Sequence, residues 1–169
     1  MRDSTTVQTP TRSTSTGKVS LKGLVGSGDR IGLTVLPFLL VGAVLNVRYP
    51  SVFSVDGPSA ALQGLAAVAL AVGVVLWLWS VVLILMHVPK HDLITTGPFA
   101  LMKHPLYTGV SLLVIPALGL LLNSWLGILI GIVMYLASRR YAPAEERALA
   151  ETFGPEWDEY CDAVKVPWL

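Results

Sequence analysis

Two short polar stretches hold the side chains of this sequence that can do chemistry. The first is GPFALMKHPLYTG, in which Lys103, His104 and Tyr107 lie close together. The second is PAEERALAETFG, which contains the paired carboxylates Glu145 and Glu146. Cationic, aromatic and acidic side chains in this combination can bind a small charged molecule through ion pairs and ring faces.

The first stretch is typical of the start of a helix. Pro105 suits the first helical turn, where its missing N–H group costs nothing, so His104 is predicted at the cap. Tyr107 then follows one turn later on the same face. The free N–H groups of such a turn favour an anionic group such as a carboxylate. The competing interpretation is that His104 only caps the helix and Tyr107 lies in the membrane interface.

The second stretch is predicted to begin an amphipathic helix at Glu145 and Glu146. Leu149 and Phe153 recur at helical spacing after them, and the pair Gly154-Pro155 ends the run. A second amphipathic segment, EWDEYCDAV, follows. Acidic residues at a helix start often only complement the helix dipole, and this remains the alternative to a binding role.

The composition indicates the environment in which these stretches lie. Of the 169 residues, 53% are hydrophobic and 14% charged, and the mean hydropathy is +0.65, which is typical of a membrane protein. The net charge of +1 provides no basic field for nucleic acid. A metal site is not expected, because His87, His91, His104 and the distant Cys161 lack the spacing of metal ligands.

Four apolar segments predict an all-α integral membrane protein with about four transmembrane helices. They cover residues 31–47, 59–86, 105–122 and 125–138. Only two residues join the third segment to the fourth, which predicts a tight antiparallel hairpin. The fourth segment is short for a span, so the hairpin is not required to cross the whole bilayer.

The remaining segments complete one predicted membrane domain at 31–169. Residues 1–30 are rich in Ser and Thr and are predicted to form a disordered tail. A signal peptide is the alternative, but the polar lead is long and the apolar run continues past any small-residue cleavage site.

Basic residues predict the orientation in the membrane. If all four segments cross and the N-terminus is cytoplasmic, eleven of the twelve Lys and Arg residues lie inside and only Arg48 lies outside. Both termini are therefore expected to be cytoplasmic. The loop 87–104 and the tail 139–169 then meet at the cytoplasmic face, beside the two ends of the hairpin.

The polar stretches resemble the isoprenylcysteine carboxyl methyltransferase and phospholipid methyltransferase family of integral-membrane enzymes that use S-adenosylmethionine. The resemblance rests on HDLITTGPFALMKHPLYTG, the apolar hairpin and EERALAETFGPEWDEY, which together cover residues 91–160. It implies that the cytosolic loop and the C-terminal helices close over the membrane helices and enclose the cofactor.

By position, the resemblance also implies the site residues. The cofactor-binding set comprises His91, Asp92, Leu93, Ile94, Phe99, His104, Pro105, Leu106, Tyr107, Glu145 and Glu146. The catalytic set comprises His104, Arg140 and Tyr141. Glu145 suits the ammonium group of the methionine part, and the helix start at His104 suits polar or carboxylate groups. Phe99 and Tyr107 suit the adenine or the sulfonium.

This chain departs from the family pattern at three positions. Lys103 replaces the usual arginine before His-Pro, which keeps the charge but loses the bidentate fork. Phe99 stands where tyrosine is frequent. Tyr141 occupies the position of an arginine linked to the substrate end, with Arg140 beside it as the alternative. These departures affect the orientation of the substrate more than the binding of the cofactor.

The reaction implied is a single displacement on a lipophilic acceptor that enters sideways from the bilayer. The acceptor is a prenylated cysteine carboxylate, an ethanolamine headgroup, or a small lipophilic thiol or amine. For an amine or thiol, His104 or Tyr141 is a candidate proton acceptor.

Two other classes of function remain open at this stage. One is an NADPH-dependent membrane reductase of the sterol type, and the other is a small membrane protein without enzymatic activity. The oligomeric state is also open, because small residues around Gly64 can pack against another helix within the chain or across a dimer.

Overall fold

A computed structural model of the protein describes residues 27–55, 57 and 59–167. These residues are helical apart from connecting loops and one isolated β-bridge between Met102 and Val166, so the predicted all-α class is confirmed. The helices are α1 (Gly28–Arg48), α2 (Pro50–Phe53), α3 (Ala60–His87), α4 (Pro105–Leu121), α5 (Leu126–Phe153) and α6 (Pro155–Ala163), with 3-10 turns at Val88–Lys90 and Gly97–Ala100.

Within the described part of the chain, α1 and α3 are long and apolar enough to cross a membrane. Most of their apolar side chains are exposed in the isolated chain, including Leu33, Leu65 and Val68, as expected of surfaces that contact lipid. Helix α4 is apolar but shorter. Four spans and cytoplasmic termini therefore stay predictions.

The predicted tail comprised residues 1–30, of which residues 1–26 lie outside the described part of the chain. Residues 28–30 belong to α1, so the predicted boundary between the tail and the first helix is three residues too late.

Helix α5 lies at the centre of the packing, with α1 and α4 against it, and α4 also packs against α3. The predicted hairpin is present. Ser124 donates its N–H to the carbonyl of Gly119 at 2.8 Å, and Asn123 adopts a left-handed φ of 54°. The two hairpin helices meet at Gly119 and Gly127, where a Cβ on either glycine would lie 2.6 Å from the Cα of the other. Such close approach is typical of helix pairs in membranes.

Small residues also explain how α3 packs. Its buried positions are Ala66, Gly73 and Ser80, and a Cβ on Gly73 would lie 2.8 Å from Val114. Val114 ends a π-helical segment of α4, Val110–Val114. Gly64 instead has nothing within 4 Å of an added Cβ, so of the two alternatives left open for it the structure does not show packing within the chain.

The predicted break between residues 138 and 145 is absent, because α5 continues through Pro143 as one helix. A proline usually interrupts a helix because it lacks an N–H group. Here the side of the helix that packs against α1 continues up to Pro143. Ala137 is buried with Ile31 and Val35, Tyr141 packs against the same cluster, and Ala142 is buried. Glu145 and Glu146 therefore lie near the end of a long helix and do not begin a new one.

The C-terminal helix α6 and the residues after it form a second cluster. Trp157, Tyr160 and Val164 of α6 and the residues after it are buried together, and Leu93 and Phe153 pack against them. The backbone N–H of Val166 donates to the carbonyl of Leu101 at 2.8 Å. The C-terminal segment therefore holds the loop that leads into α4.

Close helix packing at Gly131 gives a test of this arrangement. A Cβ on Gly131 would collide with the carbonyl oxygen of Ser111 and lie 2.9 Å from Pro116 Cγ, so Gly131→Ala should lower the free energy of unfolding by about 1–3 kcal/mol. Gly64→Ala is the matched control, because its site is open and alanine is the better helix former. Thermal unfolding in detergent measures both, and equal melting temperatures would contradict the packing.

Candidate functional site

Glu146 joins the loop before α4 to the C-terminal part of α5. Lys103 Nζ donates to Glu146 Oε2 at 2.8 Å, and His104 Nε2 donates to Glu146 Oε1 at 3.0 Å. The three side chains are 13%, 11% and 27% exposed for Lys103, His104 and Glu146. Both oxygens of this carboxylate are therefore occupied by groups of the chain itself.

The charge of Glu146 is fixed by these partners. The hydrogen bond from His104, and then the hydrogen bond and charge of Lys103, outweigh the effect of burial and hold the pKa of Glu146 at about 2. Glu146 is therefore ionised at neutral pH and partly neutralises the two basic side chains that adjoin it.

Glu145 is in a different situation although it is adjacent in sequence. It lies close to the hydroxyl of Tyr107, and its Oε2 atom is buried without a hydrogen-bond partner in the chain. Leaving a buried carboxylate oxygen unpaired is unfavourable by about 1–3 kcal/mol or more. Such an atom in a native structure calls for a bound donor, which is an ordered water or an N–H or cationic group of a ligand.

The aromatic ring of Tyr107 extends this polar group toward α1. It stacks on the His104 ring with centroids 6.1 Å apart and an interplanar angle of 25°. It also packs against the buried cluster of Ile31, Val35 and Ala137. Tyr107 thus connects the His104 region to the first membrane helix.

Three contacts hold the loop that precedes His104. Gly97 has a left-handed φ of +61°, and an added Cβ would lie 3.1 Å from Leu83 and 3.2 Å from Trp79, so this turn requires glycine against α3. Tyr160 donates its hydroxyl to the carbonyl of Phe99 at 2.9 Å. With the bond from Val166, these contacts place Lys103 and His104 opposite α5.

A cavity of about 680 Å³ opens between this loop and α6. Its volume is within the range of about 300–1,000 Å³ found for small-molecule sites. Three carboxylates and the buried Tyr160 give it a polar, acidic wall. Its lining residues are His91, Asp92, Leu93, Thr95, Ala100, Glu156, Glu159, Tyr160, Ala163 and Val164.

Tyr160 connects the cavity to the Glu146 region. Burial, together with the nearby Cys161 and Glu146, raises the pKa of Tyr160, so the phenol is protonated and able to donate to Phe99. Glu146 is thus close enough to Tyr160, which lines the cavity, for its charge to affect the pKa of this phenol.

The predicted site residues fall into three groups. His104, Tyr107, Glu145 and Glu146 come together at the start of α4, with Pro105 buried beneath them and Leu106 half-buried in the same turn. His91, Asp92 and Leu93 line the cavity, and Ile94 behind them is buried. Phe99 contributes its carbonyl oxygen to the bond with Tyr160.

The predicted catalytic residues Arg140 and Tyr141 lie on different sides of α5. Arg140 is exposed, whereas Tyr141 is half-buried and its hydroxyl lies 3.3 Å from Thr34 Oγ1. Neighbouring positions on a helix point about 100° apart, which explains the difference. Tyr141 lies one turn before Glu145 on the same side of the helix.

The residues of this region that were not among the predicted set include Lys103, Tyr160, Thr34 and Glu156. Lys103 was recognised only as part of the His-Pro motif, and Tyr160 only as the last residue of the second motif. Thr34 gave no signal in an apolar segment, and Glu156 resembled a solvated charge on an amphipathic helix. Their positions follow from the packing of α1 and α6, which has no local sequence pattern.

Comparison with known proteins agrees with these observations. The model of the isoprenylcysteine carboxyl methyltransferase (ICMT) family matches residues 61–151, which is more than half of the chain. No curated protein and no solved structure gave a match. The matched region runs from the start of α3 to Glu151 and includes the His104 and Glu145 region, and the chain belongs to the ICMT family of membrane methyltransferases.

Proposed function

We propose that the protein transfers a methyl group from S-adenosylmethionine to a lipophilic acceptor that reaches the site from the bilayer. The observation that carries this proposal is the buried, unpartnered Oε2 of Glu145. Glu145 lies close to Tyr107, on the helix that also bears Glu146. The family supports methyl transfer as the reaction.

The residues present fit this cofactor. S-adenosylmethionine carries an ammonium group, and an unpaired buried carboxylate oxygen is a suitable partner for it. Glu146 cannot take this role without losing Lys103 and His104. The first turn of α4 presents backbone N–H groups that suit the cofactor's carboxylate. The face of Tyr107 suits a sulfonium.

The cavity between the loop and α6 suits the nucleoside part. His91, Asp92 and Leu93 line one side of it, and Tyr160 lines the other. A carboxylate such as Asp92 can accept hydrogen bonds from ribose hydroxyls, and a ring such as that of Tyr160 can contact adenine. In this arrangement the loop and α6 both bind the cofactor.

When bound, the cofactor would supply a methyl group on a positively charged sulfur, and a nucleophile would take this methyl group in one step as the neutral thioether leaves. The chain's own contribution is to hold the reactants in line and to exclude water. Glu146 fixes the relative position of His104 and α5, while Tyr107 separates the polar groups from the Ile31 cluster. No covalent intermediate with the protein is required.

The location follows from the distribution of charge. We propose that the site lies at the cytoplasmic face of a multi-pass membrane protein with both termini inside, since eleven of twelve basic residues then lie on that side. The cofactor then comes from the cytosol and the acceptor from the membrane.

The two adjacent glutamates provide a matched test of cofactor binding. Glu145→Gln should weaken binding of S-adenosylmethionine at least about tenfold, because an ionic hydrogen bond contributes about 1.5–3 kcal/mol. It should not lower the melting temperature, since it removes a buried charge whose Oε2 lacks a partner. Glu146→Gln should lower the melting temperature, because Lys103 and His104 lose their shared partner.

Isothermal calorimetry on the detergent-purified protein measures the binding, with NADPH as the control ligand. A folded wild-type protein that does not bind S-adenosylmethionine would contradict the proposed function. Unchanged affinity in Glu145→Gln would contradict the role of that carboxylate.

Acid should weaken the junction between the loop and α5. The pKa of Glu146 is about 2 in the folded chain against an ordinary value of 4.5, so its contribution to stability is fully present above pH 4.5 and declines as the pH falls toward 2. Melting temperatures at pH 5 and pH 3 should therefore differ more for the wild type than for Glu146→Gln. Other carboxylates are common to both proteins and cancel in this comparison, so equal differences would argue against the junction.

A further inference from the structure

The loop before α4 is held from two sides. On one side, Lys103 and His104 bind Glu146 of α5. On the other side lies the C-terminal segment, which we define as residues 155–166 and which comprises α6 and the three residues after it. The position of the loop therefore depends on the C-terminal segment as well as on α5.

Three contacts join the loop to the C-terminal segment. Tyr160 donates its hydroxyl to the carbonyl of Phe99 at 2.9 Å, and Val166 donates its N–H to the carbonyl of Leu101 at 2.8 Å. Leu93 packs against the buried cluster that contains Tyr160. Both hydrogen bonds are made to the part of the loop that leads directly into α4, so they act on the residues that carry the site.

The C-terminal segment joins α5 through a single residue. Gly154 has a positive φ of 53° with ψ −124°, a conformation that favours glycine, and Pro155 begins α6 directly after it. No helix therefore continues from α5 into the segment. Its contacts with the loop and with the buried cluster around Trp157 determine where it lies.

The cavity lies between the same two elements. Its ten lining residues divide equally between the loop and the C-terminal segment. A molecule that fills the cavity contacts both of them and therefore favours the arrangement in which they are joined. Val166 is not among the lining residues, so it acts on such a molecule through its bond to Leu101 and the loop.

We infer that Tyr160 and Val166 are positioning residues, and that binding of the cofactor is coupled to docking of the C-terminal segment on the loop. This inference rests on the proposed function and concerns how the same site is assembled. The hydroxyl of Tyr160 gives its one proton to Phe99, so it cannot also donate to the cofactor. Because coupling is reciprocal, any change that weakens docking also weakens binding of the cofactor.

Two neighbouring proline substitutions test the route through the loop. Val166→Pro removes the N–H that binds Leu101, and it should weaken S-adenosylmethionine binding in calorimetry at least about fivefold, as for the loss of one hydrogen bond. Lys165→Pro is the matched control. The preceding Val164 already has the extended backbone that a following proline requires, with φ −67° and ψ 131°, and the N–H of Lys165 binds no other described residue. Lys165→Pro should leave the affinity unchanged.

Removal of single hydroxyl groups tests the second contact. Tyr160→Phe keeps the ring and should weaken binding by a similar factor, whereas Tyr49→Phe, at an exposed position beyond the other end of α1, should have no effect. In the double variant with Val166→Pro the two losses should not multiply, because both loosen the same stretch of the loop. Losses that multiply would show that Tyr160 acts on the cofactor independently of the loop, and this would overturn the inference.

Hydrogen exchange gives a readout that a purely structural role would not change. Saturating S-adenosylmethionine should slow exchange at the amide of Val166, resolved by overlapping peptides, at least about fivefold, although this residue does not line the cavity. NADPH at the same concentration should leave the exchange unchanged. A wild-type protein that binds S-adenosylmethionine without slower exchange at Val166 would contradict the coupling.

The outcomes separate the two proposals. If the folded wild type does not bind S-adenosylmethionine, the proposed function fails and the coupling fails with it. If the wild type binds and a folded Val166→Pro binds equally well, the coupling is overturned and the proposed function stands. If Val166→Pro loses its cooperative melting transition, the affinity of Tyr160→Phe and the exchange at Val166 in the wild type decide in the same way.

Discussion

The rest of the site depends on the bridge that Glu146 makes between the loop and α5. One carboxylate binds Lys103 and His104 with both of its oxygens, and the start of α4 is thereby fixed against the C-terminal part of α5. The same bridge occupies both of these basic side chains, whereas Oε2 of the adjacent Glu145 is buried without a partner.

The continuity of α5 makes this bridge effective. Its apolar half packs against α4 at Gly127 and Gly131, and its polar half carries Tyr141, Glu145 and Glu146. A break at Pro143 would have let the carboxylates move independently of the apolar half that packs against α4. Because the helix continues, close packing between glycines in the apolar half determines where the carboxylates lie.

Much of this architecture is readable from sequence because its causes are local. The hairpin follows from a two-residue connection between apolar runs, and the cap at His104 follows from Pro105. The difference between Glu145 and Glu146 has no local cause. It arises from the rotation of α5 against the loop, which depends on Ala137, Ala142 and the cluster they adjoin. The cavity likewise depends on where α6 packs.

The region matched by the family divides the site in two. Residues 61–151 include the loop, the start of α4 and both glutamates, whereas α1 with Asp29 and Thr34 lies before them. The proposed cofactor contacts are mostly inside the matched region, whereas the hydroxyl of Thr34, 3.3 Å from that of Tyr141, is outside it. The family match therefore bears on the proposed cofactor contacts, and the surroundings of Tyr141 depend on how α1 packs against α5.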